Sequence, residues 1–235
     1  FYLNGTKKWI TCAAIADVIL VIAADEGKVS AFLVDTDSPG VEITPIDGMM
    51  AAKASHIAQI KLTDVVVPED RLLGVEGGGF SYIVNTALDH GRYSIAWAGV
   101  AIAQEAIDAM VYYSRQRSQF GKKLYNFQLI QGIIGDAVAQ THAARALCIK
   151  AGQMRADNHE NAVDETNMAK YFASGVAMKV AADAMQVHGA NGFSENYPVE
   201  RLYREAKVLE IIEGTSQLQQ EIIAQFALKE YYRKK

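Results

Sequence analysis

The chain has 235 residues, 50% hydrophobic and 21% charged, a length that suits one large domain or two small ones around a core needing neither disulfide nor metal. Its 23 basic and 27 acidic residues leave a formal charge of −4, and like charges cluster only at the final Arg233, Lys234 and Lys235. Low complexity, wholesale disorder and a basic face for nucleic acid are thereby excluded.

In chain order, Phe1 already lies inside an apolar, strand-like run, so the chain reads as starting partway through a larger element. Asn4-Gly5 is the preferred pair for a tight hairpin turn and is expected to separate Phe1-Tyr2-Leu3 from Trp9-Ile10-Thr11. The β-branched run Val18 to Ile22 is turned by Asp25-Glu26-Gly27 into a second strand, Lys28 to Val34. Pro39, Pro45 and Pro68 suit edges and loops, and Ile60, Leu62, Val65 and Val67 alternate with polar neighbours as a half-buried strand does. Residues 1–73 are therefore expected to form a small antiparallel β domain. The apolar stretch Val18 to Ala24 is far too short to cross a bilayer, so no membrane span is expected. Cys12 and Cys148 lie far apart, and His56, His90, His142 and His159 have no ligand spacing, which points to a reducing, cytoplasmic setting and no metal.

After Gly74 the period becomes helical. Ile95, Gly99, Ile102, Ala106 and Met110 step by three or four; a second stripe carries Ile130, Ile134, Ala137, Thr141, Ala144 and Cys148. A third helix is expected over about 164–188, and a fourth after Gly214, capped by Thr215 or Ser216 with Ile222, Ile223 and Phe226 on its apolar side. The fold class expected is α+β: the β domain, then an up-down four-helix bundle over 74–235. The glycine run at 77–79 has no following Lys-Ser/Thr and reads as a hinge rather than a phosphate loop, and no Gly-x-Ser-x-Gly elbow supports hydrolase chemistry.

Chemistry concentrates in Leu209 to Gln219, where Glu213 follows Ile211-Ile212 and precedes Gly214 at the start of a helix. A carboxylate between apolar neighbours has its charged form disfavoured, which suits it to accept a carbon-bound proton. The plain alternative is a first-turn glutamate complementing the helix dipole.

Taken in order, Trp9-Ile-Thr11, Val67-Pro68, Gly77 to Phe80, Asp89-His-Gly-Arg92, Arg117-Ser-Gln-Phe-Gly121, Phe127-Gln128, Gln186 to Phe193 and Glu213-Gly-Thr-Ser-Gln217 resemble the acyl-CoA dehydrogenase family along the whole chain. The resemblance implies an FAD enzyme that oxidises the α,β bond of an acyl thioester. Glu213 would take the α-proton while the β-hydrogen leaves as hydride to the flavin, and the backbone N–H of that glutamate would help polarise the thioester carbonyl. Some family members carry the base just before the arginine matching Arg92; here that position is Gly91, leaving Glu213 as the base.

The resemblance further implies that Asp89, Arg92 and Gly214 line the thioester site, a simple i,i+3 ion pair being the alternative for the first two. Trp9 and Thr11 would lie at the isoalloxazine. Arg117, Phe120, Leu124 and Gln128 would reach the ADP half of a neighbouring subunit's FAD, with Gln186, Gly189 and Ala190 beside it and Thr215 and Gln217 adding contacts at a helix start. His188 falls in the FAD-loop stretch and reads as a packing or hydrogen-bonding histidine.

Expected partners are an acyl-CoA or an acyl-carrier protein, the latter from the similarity of Tyr93 to Gly99 and Phe127 to Ile134 to a carrier-protein subgroup, together with an electron-transfer flavoprotein and further copies of the chain as a homodimer or homotetramer. Lys53-Ala-Ser55 replaces the family's more usual Arg before a small residue and Ser, so that loop is expected to be remodelled. The family's N-terminal helical domain would precede Phe1, so the chain is expected to be a fragment or to have its acyl pocket completed by another chain. Two alternatives stay open: a flavin oxidase or monooxygenase of the same fold, and a non-catalytic β-plus-bundle subunit of a hetero-oligomer.

Overall fold

The computed structural model describes residues 1–232, and the terminal basic run lies outside them. It divides into two compact units, Phe1–Leu88 and the residues from Asp89 onward: antiparallel β sheets in the first and a helical bundle in the second.

In the first unit β1 (Tyr2–Ile10), β5 (Ala58–Val66) and β4 (Val41–Pro45) form one sheet in the order β1-β5-β4, and β2 (Val18–Asp25) pairs with β3 (Lys28–Asp35). The β2–β3 hairpin turns where expected. Glu26 and Gly27 have φ of 45° and 82°, and Asp25 faces Lys28, the two-residue turn with positive φ at both positions whose twist matches the strands.

Asn4-Gly5 does not turn the chain, because β1 runs through it. Leu3 faces Val65 and Gly5 faces Leu62, so β5 carries an extra residue opposite Asn4. The Asn4 amide fills that bulge: Nδ2 donates to Asp64 Oδ1 at 2.9 Å, and Oδ1 accepts the Asp64 N–H at 2.8 Å. The local turn preference is overridden by cross-strand bonding, and the same bulge explains why the alternation of Ile60 and Leu62 resumes one residue late at Val65. A second irregularity, between Lys7 opposite Ile60 and Ile10 opposite Ala58, puts the extra residue on β1 and holds Trp9 at φ 65°. The apolar sides of the sheets share a core that includes Leu3, Val21, Phe32, Val34, Ile60 and Val65.

Residues 74–88, expected with the bundle, fall in the β unit. The Gly77 N–H donates to Ser30 Oγ at 2.9 Å, and a turn of π-helix, Gly79–Val84, starts so close to β3 that a Cβ on Gly79 would lie 2.7 Å from the Ser30 backbone carbon.

The four expected helices are α1 (Asn85–Gln116), which belongs to the second unit from Asp89 onward, α2 (Gln128–Ala156), α3 (Ala162–His188) and α5 (Ser216–Tyr232), and the second unit adds a fifth, α4 (Val199–Leu209). α4 went unread because it has only 11 residues behind Pro198, although Val199, Leu202, Ala206 and Leu209 form its buried stripe. Thr215 Oγ1 accepts the Leu218 N–H at 3.2 Å, capping α5 as expected. The core is rich in alanine, with Ala96, Ala103, Ala144, Ala173 and Ala177 all at 0% exposure, so helix backbones approach closely.

Gly99 marks a close crossing: a Cβ there would lie 2.7 Å from the Ala173 carbonyl oxygen, a backbone atom with no room to give. Gly99→Ala should therefore lower stability by about 1–3 kcal/mol, measured as a shift in the urea midpoint at constant slope. The helical stretch Gly79–Gln116 is long and apolar enough to cross a bilayer on length and composition alone. Its residues Val100, Ala103, Ala106 and Met110 are buried against protein instead, as in the core helix of a bundle.

Candidate active site

The loop after α4 is wound tightly. The Ile211 and Ile212 N–H groups both return to the Val208 carbonyl, at 2.9 and 3.0 Å, and the Ser216 N–H reaches back to the Glu210 carbonyl at 3.0 Å. Between them Glu213 takes φ 53° and Gly214 φ 90°. A glutamate at positive φ persists only where its surroundings hold it.

Three helices do so. Arg92 Nε from α1 and Gln219 Nε2 from α5 donate to the Glu213 carbonyl at 3.4 and 3.2 Å, and Lys170 Nζ from α3 donates to the Gly214 carbonyl at 2.5 Å. Arg92 Nη1 also donates to Asn167 Oδ1 at 3.1 Å. Asn167, Lys170 and Gln219 are all buried, at 1%, 0% and 0% exposure.

The Glu213 carboxylate is placed differently from its backbone. Among the described residues its Oε2 is buried without a hydrogen-bond partner. It lies over Gly91, where an added Cβ would overlap Oε2 and stand 2.5 Å from Cδ. Burial pushes the carboxyl above the usual carboxylate range, opposed by the charges of Arg92 and Lys170. The same burial, with Arg92 beside it, pulls the Lys170 ammonium down to about 8, while Glu213 and Glu210 act in the opposite direction.

Asp89 and Arg92 do not form the i,i+3 pair considered from spacing. Asp89 Oδ2 takes the guanidinium of Arg155 from α2, which also stands over the Tyr93 ring at 5.0 Å. Each side chain finds a partner on another helix, which a solvated pair on one helix surface would not. Asp89 Oδ1 is buried and unpartnered among the described residues. The structure thus gathers Glu213, Gly214 and Arg92, with Asp89 one turn earlier on α1. Spacing missed Asn167, Lys170, Gln219 and Arg155. The available signal was the polar series Asn167, Lys170 and Ser174, stepping by three and four along an otherwise Ala- and Val-rich buried face of α3.

The remaining expected residues lie in other places. Ser118–Gln119 (β6) and Lys122–Lys123 (β7) form a short hairpin turned by Phe120 at φ 49° and Gly121 at φ 79°. Phe120 projects from it at 93% exposure, and the Leu124 N–H returns to the Arg117 carbonyl at 3.0 Å. Gln128 opens α2 and is exposed, as are Gln186 and, just past α3, Gly189 and Ala190.

The ends of α1 and α3 are joined by Asn191 Nδ2 donating to the Tyr113 hydroxyl at 2.8 Å and by His188 stacking on Tyr113 at 4.1 Å. His188 Nδ1 also bonds the Ala184 carbonyl at 2.7 Å, so it is the packing histidine expected. A cavity of about 660 Å³ opens beside Arg117, Tyr113, His188 and Tyr197. Thr215 and Gln217 are exposed at the start of α5.

In the β unit Trp9 stands out from its bulge at 56% exposure with the Lys8 ammonium 4.9 Å from its ring, and Thr11 is exposed just beyond the strand. An aromatic ring kept at positive φ and left out of the sheet core fits a flat ring system laid against it. The exposed Arg117 guanidinium and the small Gly189 and Ala190 fit a phosphate-bearing group. Taken each by itself, the first set suits the flat ring of a flavin and the second a phosphate-bearing group.

Residues 77–228 match the family model for the acyl-CoA dehydrogenase C-terminal domain, and residues 1–65 match that for the middle domain. The chain is 40% identical, over 97% of its length, to a probable acyl-CoA dehydrogenase, YngJ, of Bacillus subtilis, and 38% identical to the caffeyl-CoA reductase-Etf complex subunit CarC of Acetobacterium woodii. It spans 61% of each of those relatives. Among solved structures it superposes on butyryl-CoA dehydrogenase from Megasphaera elsdenii with a TM-score of 0.92 at 37% identity, covering 97% of this chain and 60% of that one.

Proposed function

From the premise that this chain belongs to the acyl-CoA dehydrogenase family, we propose that it is part of an FAD-dependent enzyme that introduces a double bond between Cα and Cβ of an acyl-CoA. The observation that carries this is the Glu213 carboxylate, whose Oε2 is buried without a donor among the described residues while α1 and α5 hold its carbonyl and α3 that of Gly214. FAD, when bound, supplies the acceptor for the β-hydrogen as hydride.

The chain's own residues do the rest. Glu213 Oε2 takes the α-proton: the C–H bond breaks, the O–H bond forms, and burial favours the neutral acid that results. Arg92 and Lys170 oppose that protonation and favour the ionised form that accepts the proton. The resemblance assigns the Glu213 backbone N–H to the thioester oxygen, and Asp89, Arg92 and Gly214 to the walls around it. Trp9 and Thr11 would hold the ring system of FAD. Arg117, Phe120, Leu124, Gln128, Gln186, Gly189 and Ala190 would hold its ADP half, with Thr215 and Gln217 adding contacts.

Because that ADP-binding set is read as serving a neighbouring subunit, FAD binding requires a dimer or tetramer of this chain. An electron-transfer flavoprotein is the proposed acceptor, supported by the name of the Acetobacterium woodii relative. The free cysteines Cys12 and Cys148 fit a reducing, cytoplasmic setting.

The test is anaerobic titration of the full-length flavoprotein with an acyl-CoA. Bleaching of the flavin with formation of enoyl-CoA, and slow reoxidation on admitting air, is expected. Rapid oxygen uptake with a hydroxylated product would assign the chain to the oxidase or monooxygenase alternative. Protein that stays colourless in added FAD would support the non-catalytic one. The same titration with a carrier-tethered acyl group separates the two thioester classes.

A further inference from the structure

We propose that Lys170 is a positioning residue for Glu213: its buried ammonium anchors the Gly214 carbonyl and, together with Gln219 and Arg92 on the preceding carbonyl, aims the carboxylate at the reacting carbon. The inference rests on Glu213 being the base and adds the device that holds it.

Lys170 has no packing reason to be a lysine. It is completely buried on α3 among Ala169 and Ala173, a place where an unbranched apolar side chain would fill the same space without desolvating a charge. Its observed bond goes to a neutral backbone carbonyl, not to a carboxylate. The charged groups that face it are Arg92 from α1, Glu213 in the loop and Glu210 at the end of α4. A second cation, Arg92, thus shares the site, an arrangement unfavourable for stability unless the carbonyls need holding.

They do need it. Glu213 and Gly214 are consecutive residues at positive φ, and both of their carbonyls are bonded by side chains from outside the loop. Anchoring two successive peptide planes removes the backbone rotations that would swing the Glu213 side chain away from Gly91. Within that clamp Lys170 has a second effect. Its positive charge lowers the proton affinity of Glu213 against the burial that raises it.

The experiment compares wild type with Lys170→Met and Glu213→Gln in the full-length holoenzyme. Lys170→Met is expected to retain FAD and to lose about ten- to a hundredfold in kcat with little change in KM, as for a displaced catalytic group. Its acid limb of kcat against pH should move to higher pH, because one of the two charges that lower the proton affinity of Glu213 is gone. An activity-independent reading comes from infrared titration of the Glu213 carboxyl band, using Glu213→Gln as the blank, whose midpoint should rise in the lysine variant.

If Lys170→Met fails to fold, Lys170→Gln keeps a donor for the Gly214 carbonyl without the charge. It should raise the infrared midpoint while losing less kcat. An unmoved midpoint and a wild-type kcat in whichever variant folds would overturn the Lys170 assignment. Full activity in Glu213→Gln would overturn the base assignment itself, whereas an inactive Glu213→Gln beside a wild-type lysine variant removes only the positioning role.

Discussion

Glu213→Gln should leave the flavin bound and the protein at least as stable, yet reduce the rate of substrate-dependent flavin bleaching by about 10²- to 10⁴-fold, the usual contribution of a positioned general base. Glutamine keeps the length of the side chain and its place over Gly91 but cannot take a proton from carbon.

The stability half of the prediction follows from the direction of the shift. Burial raises the folded-state pKa of Glu213 above its unfolded value. The favourable contribution of the protonated acid is therefore fully present below the unfolded value and lost as pH rises through the folded one. Above the raised folded-state value the ionised carboxylate disfavours the folded state, and removing it there does no harm to folding. Thermal denaturation at pH 7 and stopped-flow bleaching on the same sample separate the two effects. In the wild type, kcat should climb with pH through the raised pKa of Glu213. A variant that bleaches at the normal rate would transfer the proton-abstracting role elsewhere.

Gly91→Ala is expected to be the second most damaging change, for a geometric reason. The added methyl would occupy the space of Glu213 Oε2. That obstacle is the tip of a flexible side chain, so the carboxylate can swing away and the fold pays little. The reaction does not tolerate that movement, since displacement of a catalytic group by about 1 Å costs on the order of 10²-fold. A large fall in kcat at an unchanged denaturation midpoint is the expected result.

Gly99→Ala on the same helix is the matched control. Its methyl meets the Ala173 backbone, so stability falls while the site keeps its chemistry. The geometry at Gly91 also bears on the proposed base. A glutamate at 91 and one at 213 would compete for one volume, so an active site of this shape holds one or the other.

Much of this was legible along the chain. The stripe Ala137, Thr141, Ala144 and Cys148 is a buried face of α2, and the Glu26-Gly27 turn lies between β2 and β3, because both follow from local periodicity and φ preference. Glu213 itself was legible from its apolar neighbours and from the motif around it.

Asn4-Gly5 was misread, since its side chain found a partner sixty residues away in Asp64, and a local signal carries no information about such a partner. The short α4 was missed for the opposite reason: its stripe was present, but 11 residues are too few for periodicity to stand out. The i,i+3 ion pair held as the alternative for Asp89 and Arg92 does not form, because each side chain meets another helix.

Sequence alone therefore determined the two kinds of architecture and singled out Glu213 as the candidate base. These depend on periodicity and on residue type within a motif. Only the tertiary structure decided what surrounds the base: the clamp by Arg92, Lys170 and Gln219, the space above Gly91, and the pairing of Asp89 with Arg155. The physical reason is that burial and proximity set both the aim and the proton affinity of a carboxylate. Those quantities arise only when helices distant in sequence place their side chains in one low-dielectric volume.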